Sequence, residues 1–263
     1  HRGEVLVAEA LGAMARSVDD GQPLSTVVVA MPAHWGAGAV GALRGALRTV
    51  PALSPDGVPP TLVSDATTAL AALQADPGLP GTGVVALCDF GASGTNITLV
   101  DAGANLAPIG ETVHFAEFSG EQIDQALLRH VMTGIRESAD FDPAGTAAVG
   151  SLTRLREECR LAKERLSSET ATVVPAELPG FNSGIRVTRA ELEQVIAEPF
   201  AGFLDAVGDA LEHNRIPAVN LAAIATVGGG AAIPLVTQQL SEELRVPVIT
   251  TAYPGLNASV GAA

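Results

Sequence analysis

A chain of 263 residues, 47% apolar and 17% charged, is long enough for one large domain or two modest ones and has the composition of a packed globule, which excludes a disordered tail. Its longest apolar runs, 27–31 and 84–88, are too short to cross a bilayer, and its first residues lack a signal-peptide pattern. A net charge of −14 with no basic cluster excludes nucleic acid and anionic membrane surfaces as partners of this segment. The first residue is His1 rather than Met, so the chain is expected to be a piece of a longer polypeptide, with a cytoplasmic location.

In chain order, apolar residues at helical spacing (Val5, Ala8, Leu11, Met14, Ala15) predict a helix over 4–18, and 24–31 reads as a buried strand ended by Pro32. A small-residue helix over 38–47, a short strand over 61–63 and a helix over 65–73 follow, up to a Gly/Pro-rich break at 77–83 that is a candidate hinge. Strands over 84–88, around Ile97 and Leu99, and over 107–115 predict an antiparallel meander. Ser119-Gly120-Glu121-Gln122 has the form of a capping box opening a helix to 135. A second long helix over 144–166 buries Leu152, Leu155, Cys159, Ala162 and Leu166. Two extended pieces, 171–174 and 184–187, precede a helix capped by Thr188 and Glu191, which Pro199 is expected to kink or split. Strand 221–227, a triple-glycine turn, a helix over 233–244, a strand over 246–249 and a final small-residue helix complete an α/β chain with a helical insertion.

Cys88 and Cys159 lie in apolar surroundings and read as buried thiols, a reduced pair fitting at least as well as a disulfide. The five histidines show no ligand spacing, so no metal motif arises from them. Asp89-Phe90-Gly91 spells a kinase triplet without the kinase lysine strand or catalytic loop. Gly91-Ala92-Ser93-Gly94 lacks the third glycine of a dinucleotide fingerprint, and no Walker loop is present.

Three spaced elements remain: the Asp89 turn between two strands, a helix carrying Lys163 and Ser167, and the turn Gly228-Gly229-Gly230 before a helix. VVVAMPAHW (27–35), LVSDATTALAAL (62–73), DFGASGTNITLV (89–100), FSGEQID (118–124), LREECRLAKERLSSET (155–170) and TVGGGAAIPLV (226–236) follow in order. Together they resemble the nucleotide-binding domain of the heat-shock seventy, DnaK-type, chaperones within the actin-like ATPase superfamily. The resemblance implies an α/β fold of ribonuclease H-like lobes: residues 1–80 as the remainder of lobe I, 81–118 and 193–263 as the core of lobe II, and 119–192 as an inserted subdomain. It also implies ATP or ADP with Mg in a cleft, the phosphates held by glycine-turn amides where a side chain would block approach. Carried over residue by residue, Asp65 and Asp89 take the catalytic positions, and Asp89 also supports the metal. Gly91, Ala92, Ser93, Gly94, Gly120, Glu121, Lys163, Ser167, Gly228, Gly229 and Gly230 take the nucleotide-binding positions. Lys163, the only lysine, occupies the position that reaches the nucleoside; read by itself it is equally a solvated helix-face lysine.

The chain departs from the pattern. Asn96 stands for the turn's second aspartate, Gly94 for its threonine, Ala92 and Ser93 for two glycines, and Asp65 for a glutamate. Glu164 and Ala232 stand where two arginines sandwich adenine, and Arg160 where a glutamate binds it, a loss of stacking worth on the order of 1–3 kcal/mol. Gly255 replaces an aspartate, and Val40 an arginine downstream of the switch proline, Pro32. The family's first phosphate hairpin and catalytic lysine precede the segment matching His1. The expectation is therefore a divergent nucleotide-binding domain with weak or absent hydrolysis and an unidentified protein partner. The alternative is a nucleotide-free pseudo-ATPase serving as an interaction scaffold; a sugar phosphotransferase ranks third.

Overall fold

The computed structural model describes residues 2–18, 26–54, 57–138 and 146–263. The first unit contains α1 (Gly3–Val18), β1 (Val28–Met31), α2 (Ala37–Leu47) and β2 (Thr61–Ser64). β1 and β2 run parallel, Val28 opposite Thr61 and Met31 opposite Ser64, as a strand pair joined through a helix must. Ala8, Val29, Leu43, Leu47 and Leu53 form a small core of their own. The strand expected from 24 begins at Val28; residues 24 and 25 lie outside the described residues.

The second unit is built on a five-stranded sheet in the order β5-β4-β3-β8-β9. β3 (Val84–Phe90), β4 (Thr95–Asp101) and β5 (Ala107–Phe115) form the expected antiparallel meander, while β8 (Leu221–Val227) pairs in parallel with β3 and with β9 (Val248–Ile249). β3 and β8 are near-continuous apolar runs because both of their faces are covered. One face packs against α3 (Asp65–Ala75) through Ala66, Ala69, Leu70 and Leu73. The other face carries the main core, from Ala86, Cys88 and Phe90 out to Leu127, Phe200, Phe203 and Val236. β3 runs two residues past its expected end, which sets Asp89 inside the ladder, opposite Asn96 on β4 and beside Val227 on β8.

The insertion holds α4 (Gly120–Ser138), α5 (Thr146–Leu166) and the hairpin β6 (Ala171–Leu178) and β7 (Phe181–Thr188). On α5, Leu155, Cys159, Ala162 and Leu166 are buried as expected, and Leu152 is half-buried; the expected start at 144 lies outside the described residues. β6 and β7 are longer than the sequence suggests and pair with each other, Pro175 opposite Gly184. Both are edge strands, so the N–H that Pro175 lacks is not required on its open side.

α6 (Arg189–His213) begins with a complete capping box of Thr188 and Glu191, as expected. Pro199 does not split it. An interior proline costs about 3 kcal/mol, and the adjoining turn buries Phe200 and Phe203, each worth roughly 1.5–3 kcal/mol. These two rings pack with Phe90, Phe115 and Phe118 beneath the first glycine turn. α7 (Pro234–Leu244) follows a short 3₁₀ turn, and α8 (Asn257–Ala262) lies against α3 so closely that a Cβ on Gly261 would run into the Thr68 carbonyl oxygen. Cys88 and Cys159 are free thiols in the core. Among the described residues no helix is long and apolar enough to cross a membrane.

Candidate nucleotide cleft

The turn between β3 and β4 closes on itself, the Gly91 N–H donating to the Gly94 carbonyl at 3.0 Å. A Cβ on Gly91 would stand 2.9 Å from that oxygen, so glycine permits the tight closure. α4 then docks on the turn: the Gly120 N–H donates to the Gly91 carbonyl at 3.0 Å and the Glu121 N–H to the Ala92 carbonyl at 2.8 Å. Ser119 Oγ accepts from the Gln122 N–H at 3.2 Å, the forward bond of the expected capping box. The first amides of α4 are thus bonded within the protein, although they sit beside the cleft.

The second turn crosses directly over the end of β3. Gly228 has φ 84° and ψ 160°, a conformation essentially confined to glycine, and its N–H donates to the Pro254 carbonyl at 2.9 Å. A Cβ there would meet Asp89 Oδ1 and the Phe90 carbonyl oxygen, each at 2.5 Å. Gly230 passes as near, its added Cβ 2.9 Å from Phe90 Cβ. Gly229–Ala232 is a 3₁₀ turn, and the helix expected from 233 starts at Pro234. The opening N–H groups of such a turn find no partner inside it and carry partial positive charge.

Between the two turns lies a cleft of about 570 Å³, lined by Gly91, Ala92, Gly120, Glu121, Lys163, Ser167, Gly229 and Gly230, with Phe90 and Ile233 as apolar walls. That volume falls in the range of small-molecule sites. Lys163 is not a solvated helix-face lysine. Its ammonium lies 2.8 Å from Asp124 Oδ1, with side chains only 14% and 10% exposed, and donates to the Gly120 carbonyl at 3.2 Å. The ammonium approaches Oδ1 off the hydrogen-bonding direction, so the contact is an ion pair held by charge. Arg160, half exposed on the same wall, is pinned between Glu157 and Glu164. Ser93 and Gly94 fall outside the lining: Ser93 is exposed at the turn's tip, and Gly94 is buried against the His114 ring. Gly94 therefore shapes the hairpin's outer side instead of the cleft. Ala232 is likewise exposed and off the wall.

Beside the cleft, Asp65 and Asp89 face a hollow of about 140 Å³ together with Gly228 and Gly255. Asp65, at the head of α3, accepts from the Ala33 N–H at 2.9 Å. Burial raises its pKa, against the lowering effect of the Ala33 and Ala66 amides and of His34. Burial, and then the charge of Asp65, push Asp89 up to about 6. A carboxyl whose folded pKa is raised costs stability when ionised, and that cost disappears as pH falls below its unfolded value. Asp89→Asn is accordingly expected to raise the unfolding free energy measured in urea at pH 8 by about 1–2 kcal/mol, and to leave it unchanged near pH 4. No gain at pH 8 would mean the hollow is better solvated than its geometry implies. Among the described residues no cluster of three or more His, Cys, Asp or Glu could hold a metal by itself. Two carboxylates still suit Mg, which keeps waters and phosphate oxygens for its remaining positions. A larger hollow of about 770 Å³ between α3 and the β4–β5 face contains His34 and Glu111 as its titratable groups and neither glycine turn.

Sequence reasoning misses Asp124 as a site residue, although it lies one helical turn beyond Gly120 and shares its face. It also misses Phe90 and Ile233, whose apolar character reads as ordinary core.

The family model described as "Hsp70 protein" matches residues 5–263. A heat shock cognate HSP70 protein of Trypanosoma brucei brucei is 28% identical over 183 residues, 68% of this chain and 27% of that protein. A heat shock 70 kDa protein of Emericella nidulans is 24% identical over 204 residues, 77% of this chain and 31% of its own length. A ribosome-associated molecular chaperone of Zygosaccharomyces rouxii is 26% identical over 160 residues, 60% of this chain and 26% of the relative. The chain thus spans roughly a quarter to a third of these relatives. With the match running almost end to end over a two-unit α/β fold whose glycine turns share one cleft, the chain belongs to the Hsp70 family and has its actin-like ATPase fold.

Proposed function

We propose that this chain is a divergent chaperone-type domain that takes ATP or ADP with Mg and turns ATP over weakly or not at all. The observation that carries the reading is the convergence of Gly91–Ala92, Gly229–Gly230, Lys163 and Ser167 on one cleft, with Asp65 and Asp89 beside its inner end. Phosphate oxygens would meet the open amides of the Gly229 turn. Lys163 would hold the sugar end, positioned by Asp124 and the Gly120 carbonyl. Asp65 and Asp89 would hold Mg, which when bound supplies positive charge to the phosphates; the same charge would return both carboxyls to their ionised form. Ser93 and Gly94 support the turn from outside.

Weak hydrolysis follows from the neutral Asn96 and from Gly94, which carries no hydroxyl. In the same reading, lobe I falls within residues 1–80, lobe II is formed by 81–118 and 193–263, and 119–192 is the insertion. The reading also includes a protein partner, engaged through the larger protein to which this domain belongs, and a cytoplasmic location, which suits two buried free thiols. Titration calorimetry with Mg-ADP and with Mg-ATP tests the proposal. Saturable binding to both, with ATP surviving incubation, is expected; heat from neither nucleotide would remove it.

The second reading, a nucleotide-free scaffold, is favoured by the α4 amides already bonded to hairpin carbonyls and by the acidic Glu164 on the cleft wall. Failure of both nucleotides to raise the melting temperature would support it.

A further inference from the structure

The hollow between α3 and the β4–β5 face, about 770 Å³, exceeds the glycine-turn cleft in volume and shares no lining residue with it. Its walls are mainly apolar: Ala66, Leu70 and Ala71 of α3 on one side, Val100, Leu106 and Pro108 on the other. Leu106 holds a left-handed backbone with φ 58°, next to Asn105 at 55°, a conformation uncommon for a bulky side chain. It brings Leu106 against the core patch that α3 covers.

The polar groups of the lining are few, and most are neutral. Thr98 and Thr112 share a hydrogen bond at 2.9 Å across β4 and β5, which leaves the pair one proton and free lone pairs to offer. Ser64, at the N-cap of α3, makes no side-chain cap bond, so its hydroxyl is also open to the hollow. Trp35, the only tryptophan of the chain and half-buried, and His34, stacked on His114, set two planar rings in the lining. Among the described residues Glu111 is the one carboxylate that lines the hollow, and no lysine or arginine does.

We propose that this hollow is a second ligand site, for a small planar aromatic amine, its ring system between α3 and the sheet and its ammonium at Glu111. The volume lies in the range of small-molecule sites, which are built from an apolar lining and a few converging polar groups. Charge selects the class of ligand. An anion would meet Glu111 with no lysine or arginine to offset it, which excludes nucleotides and other phosphates from this hollow. An ammonium gains the carboxylate, the threonine oxygens and the face of the indole. Alanine at 66 and 71 keeps this side of α3 low, which suits a flat body over a branched one.

Trp35 gives the protein a single indole N–H resonance, which serves as the reporter. Naphthylethylamine, naphthylethanol and naphthylacetate are titrated in turn into the isotope-labelled chain at about pH 8, where imidazole is neutral. The amine is expected to move the resonance saturably, the alcohol to do so with roughly fivefold weaker affinity, the worth of an ion pair at a half-open rim, and the acid to leave it in place. Glu111→Gln lowers the amine's affinity to that of the alcohol. Ala71→Phe, at an exposed position of α3 whose larger side chain fills the hollow, abolishes both titrations while the rest of the amide spectrum is kept. Saturating Mg-ADP leaves the amine titration unchanged, because the two sites use separate residues, and this arm keeps the result apart from the fate of the nucleotide reading. An indole resonance unmoved by the amine, equal affinities for amine and acid, or displacement of the amine by Mg-ADP would overturn the site.

Discussion

Lys163→Met is expected to cost about 3–5 kcal/mol in urea denaturation at neutral pH, the penalty of stranding a buried charge. The variant leaves Asp124 nine-tenths covered, with Arg160, already paired with Glu157 and Glu164, as the cation left nearby, and Gly120 loses the donor to its carbonyl. Converting both partners, Lys163→Met with Asp124→Leu, should return most of the loss, because two apolar side chains of similar size do not carry the desolvation cost of an ion pair. A single variant as stable as its parent would show that water reaches the pair. The contact also decides what the lysine can do. An ammonium already balanced by a carboxylate offers a ligand hydrogen bonds and position more than net charge.

Gly228→Ala is the second large effect, with an expected loss on the order of 2–6 kcal/mol from two sources that act together. A non-glycine residue in this backbone region costs about 1–3 kcal/mol, and the new methyl meets fixed backbone at Phe90 as well as the Asp89 carboxylate, an overpacking cost of about 1–3 kcal/mol. Gly229→Ala is the control, since an added Cβ there meets nothing within 4 Å. Thermal melts of the two variants side by side should separate clearly. Similar melts would mean that the crossing of the turn over β3 is looser than its distances state.

The contrast between these neighbouring glycines shows where sequence reading stops. That a triple-glycine turn follows β8 is legible, because a buried apolar run ends sharply at Val227 and the helix pattern resumes beyond it. Which glycine carries the strain depends on β3 passing beneath, and no local pattern records that. β5 and β8 can be read to the residue because turn residues bound both of them. β6 and β7 read short, since Pro175, Glu177, Asn182 and Ser183 interrupt the alternation of a hairpin whose outer face meets solvent. Pro199 reads as a break by a sound local rule, which the packing of Phe200 and Phe203 overrides. Lys163 stays between two readings in the sequence because its partner belongs to another helix. The histidines lack ligand spacing along the chain, yet two of them meet through tertiary structure alone.

The bonds from the Gly120 and Glu121 amides to the hairpin carbonyls have a mechanical outcome. Strand end, hairpin and the head of α4 are riveted together, and the Lys163 bond to Gly120 fastens α5 to the same block. Any displacement at this rim must carry these elements as a single jaw, and the Gly228–Gly230 turn, tied to the Pro254 carbonyl, bears down on the strand end at its root.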